Sequence, residues 1–155
     1  MKHPLSPGSR SQVPGKQLRT FTGRIAGKFH PNRRKSIFLV DDDEVVRELT
    51  GLMLKKLGYR VRSFSGGATA LTYLNRHRDE ADLYLLDVIM PEMDGRELFR
   101  KIRRINPSAR GYYYSGYCPH ENTAPVSLDG ILGLIAKPAT LADLDSRIRE
   151  ALEMN

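Results

Sequence analysis

The stretch LYLLDVIMPEMDG, residues 83–95, places an acid directly after four apolar residues and then turns the chain with a proline and a glycine. Four consecutive apolar residues at 83–86 are typical of a strand that is buried on both faces of a sheet. A carboxylate costs several kcal/mol to remove from water unless a cation or hydrogen bonds compensate it. Asp87 is therefore either a helix cap at a strand exit or a reactive group held by a rigid strand.

Apolar runs and amphipathic stretches alternate along the rest of the chain. The runs at 37–40, 112–114 and 131–136 predict further strands. Residues 59–64 alternate apolar with basic side chains, which is typical of a half-exposed edge strand. A weak helical pattern covers 121–127. Elsewhere, apolar residues recur at helical spacing in four stripes: Val45, Leu49, Leu52, Met53 and Leu57; Ala70, Leu71 and Leu74; Leu98, Ile102 and Ile105; and Leu141, Leu144, Ile148 and Leu152.

The order of these elements predicts the fold class. Gly58 closes the first helix as a C-cap, and Thr140 begins the last helix as a cap together with Asp143. A fivefold strand–helix alternation predicts an α/β fold, in which helices cover both faces of a parallel sheet. With the alternating strand at an edge and the apolar strands inside, the expected fold is a doubly wound (βα)5 flavodoxin-like sheet with strand order 2-1-3-4-5.

Length and composition limit the alternatives. A chain of 155 residues that is 40% hydrophobic and 28% charged is typical of one soluble globular domain. No apolar run approaches the about 20 residues that a membrane-spanning helix needs. The single cysteine, Cys118, excludes an internal disulfide and fits a reducing compartment such as the cytoplasm.

The net charge of +7 is unevenly distributed. Residues 1–35 hold nine Lys and Arg and no acid, so residues 36–155 keep sixteen of the 25 basic residues against all eighteen acidic ones, a net charge of −2. The near-neutral body does not have the charge of a nucleic-acid-binding domain. We expect any contact with polyanions or acidic membranes to lie in the tail.

The tail itself allows more than one interpretation. Its Gly, Pro, Ser, Lys and Arg content predicts a disordered segment at 1–35, ahead of a folded domain at 36–155. The tail lacks the apolar region of a secretory signal peptide. Its acid-free composition does resemble a transit peptide. A short basic helix is a further alternative, with an apolar face formed by Leu18, Phe21, Ile25 and Phe29.

Polar side chains follow four of the predicted strands. In a doubly wound sheet these strand ends meet at one edge, where such folds bind ligands. Taken singly, each residue has an ordinary explanation as a cap or a solvated loop residue; Asp43 with Glu44 suits the first turn of a helix. Together they favour a site, and oxygen ligands on a water-accessible rim suit Mg²⁺. The residues are Asp41, Asp42 and Asp43 after the first strand, Asp87 after the third, Ser115 after the fourth and Lys137 after the fifth.

Residues 36–153 resemble the receiver domain of two-component response regulators. Four motifs match in order and spacing: FLVDDDE at 38–44, LLDVIMPEMDG at 85–95, YYYSGY at 112–117 and LIAKP at 134–138. The segments GRELF and SGY, and the end of the chain, are similar to receivers attached to hybrid sensor kinases. The resemblance implies a phosphoryl-accepting signalling switch, not an enzyme acting on an external substrate.

The resemblance also implies a role for each matching residue. Asp87 would accept the phosphoryl group from a histidine kinase or a histidine phosphotransfer protein. Lys137, joined to Pro138 by a cis bond, would pair with the phosphoryl oxygens, and Ser115 would be the switch hydroxyl. The Mg²⁺ ligands would be Asp41, Asp42, Asp87 and the backbone carbonyl of Ile89.

This chain also departs from the family pattern. Leu134 occupies the position of the aromatic switch partner, and Ala139 replaces a common aromatic. Ile89 and Tyr117 flank the path of the water that attacks the aspartyl-phosphate in this family, and neither favours that attack, which predicts a long-lived phosphorylated form. No DNA-binding domain follows the last helix, so we expect output through contact with a downstream protein, or within a larger system.

Two other functions are open to a sheet of this kind. An aspartate-nucleophile phosphohydrolase also places acids after its first strand, but it generally carries a D-x-D pair and a cap or larger pocket, which this short body lacks. A flavodoxin-like cofactor binder would need a first strand–helix turn that accepts phosphate. Here that turn is acidic and has no glycine, so it would repel phosphate.

Overall fold

The computed structural model describes residues 34–77, 81–116 and 130–154. Residues 1–33 of the predicted tail, the helical pattern at 121–127 and Tyr117 lie outside the described residues. The strands are β1 (Ser36–Val40), β2 (Arg60–Phe64), β3 (Leu83–Asp87), β4 (Gly111–Ser115) and β5 (Ile131–Ala136). The helices are α1 (Glu44–Lys56), α2 (Gly67–His77), α3 (Gly95–Ile105) and α4 (Leu141–Glu153).

The strands form one parallel sheet with the order β2-β1-β3-β4-β5. This confirms the predicted doubly wound, flavodoxin-like fold. The central strands β1 and β3 are buried along their whole length, as the apolar runs at 37–40 and 83–86 predict. Strand β2 lies at the edge and exposes Arg60 and Arg62, which explains its alternating sequence.

Two apolar layers cover the sheet. On one face, Phe38, Tyr84 and Leu86 pack against residues of α2 and α3. On the other face, alternate residues such as Leu39 and Leu85 pack against α1 and α4. The period of two along each strand therefore separates the two helix pairs.

Helix ends follow the expected local chemistry. Gly58 follows α1 with φ of 94°, the left-handed conformation that glycine adopts without steric cost. Thr140 and Asp143 form a capping box at the start of α4, which confirms the predicted cap.

Helix α1 differs from the simplest interpretation of its apolar stripe. Val45, Leu49 and Leu52 are 75%, 59% and 64% exposed. The helix instead turns Thr50, Gly51 and Leu54 to the sheet. Helical periodicity detects a stripe of apolar residues, but it does not tell whether the sheet or a partner covers that stripe.

None of the helices in the described ranges is long and apolar enough to cross a membrane.

Candidate functional site

Four parallel strands direct the predicted site residues to one edge of the sheet. Asp41 follows β1, Asp87 ends β3, Ser115 ends β4 and Lys137 follows β5. In the register, Val40 is opposite Leu86 and Asp87 is opposite Tyr114. The carboxyl ends of these strands are therefore level with one another. Because each polar residue stands at or just after the end of its strand, the polar side chains meet at this edge.

Three carboxylates form a compact cluster at this edge. Asp41, Asp42 and Asp87 each offer an oxygen atom, and these atoms lie within 4.8 Å of one another. Asp41 and Asp87 are buried, whereas Asp42 is exposed. Asp43 does not join them, because its side chain accepts a 3.1 Å hydrogen bond from the Val46 N–H and caps α1.

Lys137 supplies the positive charge of the site. Its Nζ lies 2.7 Å from Asp41 Oδ2 and 2.9 Å from Asp87 Oδ2. Burial alone would lower the pKa of Lys137, but hydrogen bonds and charge attraction from the two carboxylates together raise that pKa. The side chain is therefore a fixed ammonium at neutral pH.

Asp41 has the most buried carboxyl group of the cluster, with 0% exposure. Burial raises its pKa, and Lys137 opposes that rise. Among the described residues, Oδ2 lies 2.7 Å from the Lys137 ammonium and has no further hydrogen-bond partner. A buried carboxylate oxygen with spare capacity, next to two more carboxylates, has the chemistry of a hard-cation ligand.

The loop after β3 holds Asp87 in place. The Ile89 N–H donates a 3.2 Å hydrogen bond to Asp87 Oδ1, and the Gly95 N–H donates a 3.0 Å bond to the Val88 carbonyl. Asp94 caps α3 through a 2.7 Å bond from the Glu97 N–H. The side chain of Ile89 is 63% exposed beside the site.

The fourth and fifth strands complete the edge. Ser115 is buried, and its carbonyl accepts a 2.9 Å hydrogen bond from the Lys137 N–H. The Lys137–Pro138 bond is cis, which confirms the expectation from the family motif. Leu134 packs against the α2 and α3 side of the core.

Two neighbours of the site were not predicted from the sequence. Arg47 on α1 donates from Nη1 to the carbonyl of Asp41 at 2.8 Å, which braces the acidic turn. The ring of Tyr114 lies under Lys137, with 5.1 Å from Nζ to the ring centroid. Neither Arg47 nor Tyr114 is a polar residue that follows a predicted strand. The unusual run of three tyrosines in β4 was the one sequence feature that could have indicated Tyr114.

The sequence profile of the response regulator receiver domain matches residues 37–149. The chain belongs to the response regulator receiver domain family. Receiver domains are phosphoryl-accepting switches of two-component systems, so the predicted family and general function are confirmed, in preference to the phosphohydrolase and the cofactor binder.

Individual relatives agree with this assignment. The chain is 32% identical to the sensor kinase CckA of Brucella abortus over 76% of its own length, although it spans only 12% of that kinase. It is also 32% identical over 76% of its length to the receiver protein CpdR of Brucella abortus, of which it covers 97%. A solved structure of response regulator protein TrrA from Thermotoga maritima, in complex with Mg²⁺-BeF, matches with a TM-score of 0.65 and 25% identity over 76% of this chain and 99% of that one.

Proposed function

We propose that Asp87 accepts a phosphoryl group from a phosphohistidine of a histidine kinase or phosphotransfer protein, with Mg²⁺ bound at the acidic cluster. The observation that carries the proposal is the ammonium of Lys137 held between the carboxylates of Asp41 and Asp87. Of these two acids, Asp87 has the more accessible side chain, 10% exposed against 0% for Asp41, so it is the one an incoming phosphoryl group can reach.

The reaction assigned to Asp87 is a nucleophilic substitution at phosphorus. A carboxylate oxygen forms the new O–P bond as the N–P bond breaks and the electron pair returns to the imidazole nitrogen. The protein contributes position and charge neutralisation, which are the main requirements of phosphoryl transfer.

The metal ligands in this proposal are the carboxylates of Asp41, Asp42 and Asp87, with the carbonyl of Ile89. The exposure of Asp42 leaves the cluster open to water, as suits a cation that keeps several water ligands. When bound, Mg²⁺ would neutralise charge on the transferring phosphoryl group. The spare capacity of Asp41 Oδ2 supports this assignment.

Lys137 and Ser115 have different tasks. The Lys137 ammonium is placed to bind phosphoryl oxygens once Asp87 is modified, because it already lies 2.9 Å from that carboxylate. The Ser115 hydroxyl would bind a phosphoryl oxygen from the neighbouring strand end. Leu134 in place of an aromatic removes the ring half of the usual switch, so Ser115 would carry the readout.

The exposed stripe of α1, formed by Val45, Leu49 and Leu52, is the proposed docking surface for the phosphodonor protein. Helix α1 begins directly after the acidic turn, so a helix packed on this stripe would carry its histidine next to Asp87. An exposed apolar stripe of this kind typically marks a protein contact. We expect Leu49→Asp to block transfer from a phosphorylated phosphotransfer domain, yet leave labelling by acetyl phosphate unchanged. Ile105→Asp, which alters an exposed apolar residue at the end of α3, is the matched control and should leave both reactions unchanged.

The domain assignment belongs to the same proposal. Residues 36–155 would form the receiver unit in the cytoplasm, and residues 1–35 a basic tail outside it. The receiver would act as a switch that assists only its own phosphorylation and dephosphorylation, with output through a downstream protein.

The deciding experiment is labelling with acetyl phosphate and Mg²⁺, read by mass spectrometry after trapping of the aspartyl-phosphate. Asp87→Asn should abolish labelling, and Asp145→Asn, which alters an acid on α4 outside the cluster, should leave it intact. Labelling of Asp87→Asn at another residue would refute the assignment of Asp87.

A further inference from the structure

The three tyrosines of β4 are unusual in a central strand, because buried hydroxyl groups need partners. Tyr112 and Tyr114 belong to the core layer that faces α1 and α4, and Tyr113 belongs to the opposite layer. The Tyr112 hydroxyl donates a 3.2 Å bond to the carbonyl of Arg147 on α4. Tyr114 has a different environment, since its ring lies under the ammonium of Lys137.

We propose that Tyr114 is a positioning residue for Lys137 in phosphoryl transfer. The inference rests on the function proposed for Asp87 and Lys137, and it extends that function to a side chain to which the family resemblance gives no role. Its role is to hold the ammonium through the face of its ring while the carboxylates exchange partners.

Strand alternation explains why the ring reaches this position. Leu39, Leu85, Tyr114 and Ile135 all lie in the layer facing α1 and α4. The residues two positions after Leu39, Leu85 and Ile135 are Asp41, Asp87 and Lys137. The charged side chains therefore lie on the same face of the sheet as the ring of Tyr114. In the strand register, Tyr114 is opposite Asp87 on β3 and opposite Ile135 on β5.

The ring is a different kind of partner from the two carboxylates. Asp41 and Asp87 attract Lys137 by charge, and both are also proposed ligands of a divalent cation, which would compete for their oxygen atoms when bound. The ring carries no charge and has no oxygen in that cluster, so its attraction for an ammonium persists when the carboxylates are engaged. Desolvation strengthens such a contact, and Tyr114 is 3% exposed.

Helix α1 anchors the ring from behind. The Thr50 hydroxyl donates a 3.4 Å bond to the Tyr114 hydroxyl oxygen, and both side chains are buried. This contact belongs to the hydroxyl group, whereas the contact with Lys137 belongs to the ring. The two contributions can therefore be separated by substitution.

The kinetic test uses Tyr114→Leu, which removes the ring, and Tyr114→Phe, which keeps it. Tyr112→Leu is the matched control, because it removes an equally buried tyrosine of the same layer that does not contact Lys137. With acetyl phosphate and Mg²⁺, we expect Tyr114→Leu to lower the labelling rate at saturating donor by about three- to thirtyfold. Tyr114→Phe and Tyr112→Leu should stay within about twofold of the wild type. Equal rates for Tyr114→Leu and the wild type would overturn the proposal.

A second measurement needs neither metal nor phosphoryl transfer. In urea unfolding without Mg²⁺, Tyr114→Leu should lower the unfolding midpoint more in the protein with Lys137 than in the Lys137→Met variant. Only the protein with Lys137 has a contact between ammonium and ring that the substitution can remove. Equal shifts would overturn the proposal. Should Tyr114→Leu not fold, Tyr114→Met removes the ring with an unbranched side chain that adapts more easily to the space left behind, and it serves in both experiments. If the wild type is not labelled at Asp87, the proposed function fails, and the urea cycle still decides whether Tyr114 holds Lys137.

Discussion

Gly95, the first residue of α3, lies in direct contact with the backbone of Asp87, the last residue of β3. A β-carbon on Gly95 would overlap the Asp87 carbonyl oxygen and come within 3.2 Å of the Val88 α-carbon. The glycine of the MDG segment is therefore required by close packing of helix against strand, at the residue proposed to be phosphorylated.

Gly95→Ala should destabilise the protein by about 1–3 kcal/mol, because backbone atoms on both sides must move apart. Urea unfolding measures the change. Gly51→Ala is the control in α1: apart from the adjoining backbone of the helix itself, no atom lies within 4 Å of the added carbon, and alanine favours a helix by about 0.5–1 kcal/mol. A Gly95→Ala protein as stable as the wild type would show that the strand exit tolerates the extra carbon.

Asp42→Ala should weaken Mg²⁺ binding with little effect on folding. Asp42 is the exposed member of the cluster, so its removal should change the free energy of unfolding by no more than about 0.5 kcal/mol. Loss of a direct carboxylate ligand should raise the Mg²⁺ dissociation constant by about tenfold or more. Calorimetric titration tests this, with the exposed Glu48→Gln as control; unchanged affinity in Asp42→Ala would remove Asp42 from the ligand set.

Asp82 predicts a defined pH dependence of stability. Its carboxylate accepts bonds from the Ser36 N–H at 2.7 Å, the Ser36 hydroxyl at 3.1 Å and Lys35 Nζ at 3.0 Å. Burial alone would raise the pKa of Asp82, but these bonds together lower that pKa below its ordinary value of 3.8. The folded state therefore favours the carboxylate, and the stabilisation is complete above pH 3.8 and is lost as the pH falls through the lower folded-state pKa.

Asp82→Asn should accordingly cost about 1 kcal/mol at pH 7, and the difference from the wild type should shrink as the pH falls below the ordinary carboxyl range. Unfolding curves at several pH values measure it. Asp145→Asn breaks an exposed pair with Arg149 and should cost no more than about 0.5 kcal/mol throughout. A cost of Asp82→Asn that grows toward acid would contradict the sign of this linkage.

Ile89→Glu should shorten the life of the phosphorylated protein. The Ile89 side chain is exposed beside the site and cannot orient a water molecule by hydrogen bonding, whereas general-base groups contribute about 10²- to 10⁴-fold to such reactions. The measurement is decay of labelled protein in Mg²⁺, with Ile89→Leu as the apolar control. Decay of Ile89→Glu at the rate of the wild type, or more slowly, would mean that this position does not control water attack.

Deletion of residues 1–35 should remove the affinity of the protein for heparin and anionic vesicles. The deletion leaves a net charge of −2, because all nine basic residues of the tail are lost with no acid. Retention on a heparin column and co-sedimentation with vesicles test this at two salt concentrations. Equal retention before and after deletion would assign the affinity to the folded domain.

Much of the fold could be predicted from the sequence because each strand has its own sequence pattern. The apolar runs of β1 and β3 indicated burial on both faces, and the alternation around Arg60 and Arg62 indicated an edge. The orientation of α1 could not be predicted, since an apolar stripe has the same period whether it faces the sheet or solvent. The buried face of α1 includes Thr50 and Gly51, which a search for large apolar residues overlooks.

The convergence of the acids with Lys137 could be predicted from strand topology, because parallel strands end at the same edge. The contact between the Tyr114 ring and Lys137 could not be predicted, because the sequence does not reveal which buried ring lies beneath a given cation. Asp43 illustrates the opposite limit. It directly follows Asp42 of the cluster, yet its side chain accepts a hydrogen bond from the Val46 N–H on α1 and does not join the cluster.

The exposed guanidinium groups of Arg60 and Arg62 have a consequence for the behaviour of the protein at high concentration. Strand β2 pairs with β1 alone among the described residues, and such an outer strand is a template on which a second copy can add its own strand. Two copies meeting along β2 would bring four guanidinium groups together along strands of five residues. Like charges at that spacing repel, so the addition of strands from other copies at this edge is electrostatically opposed.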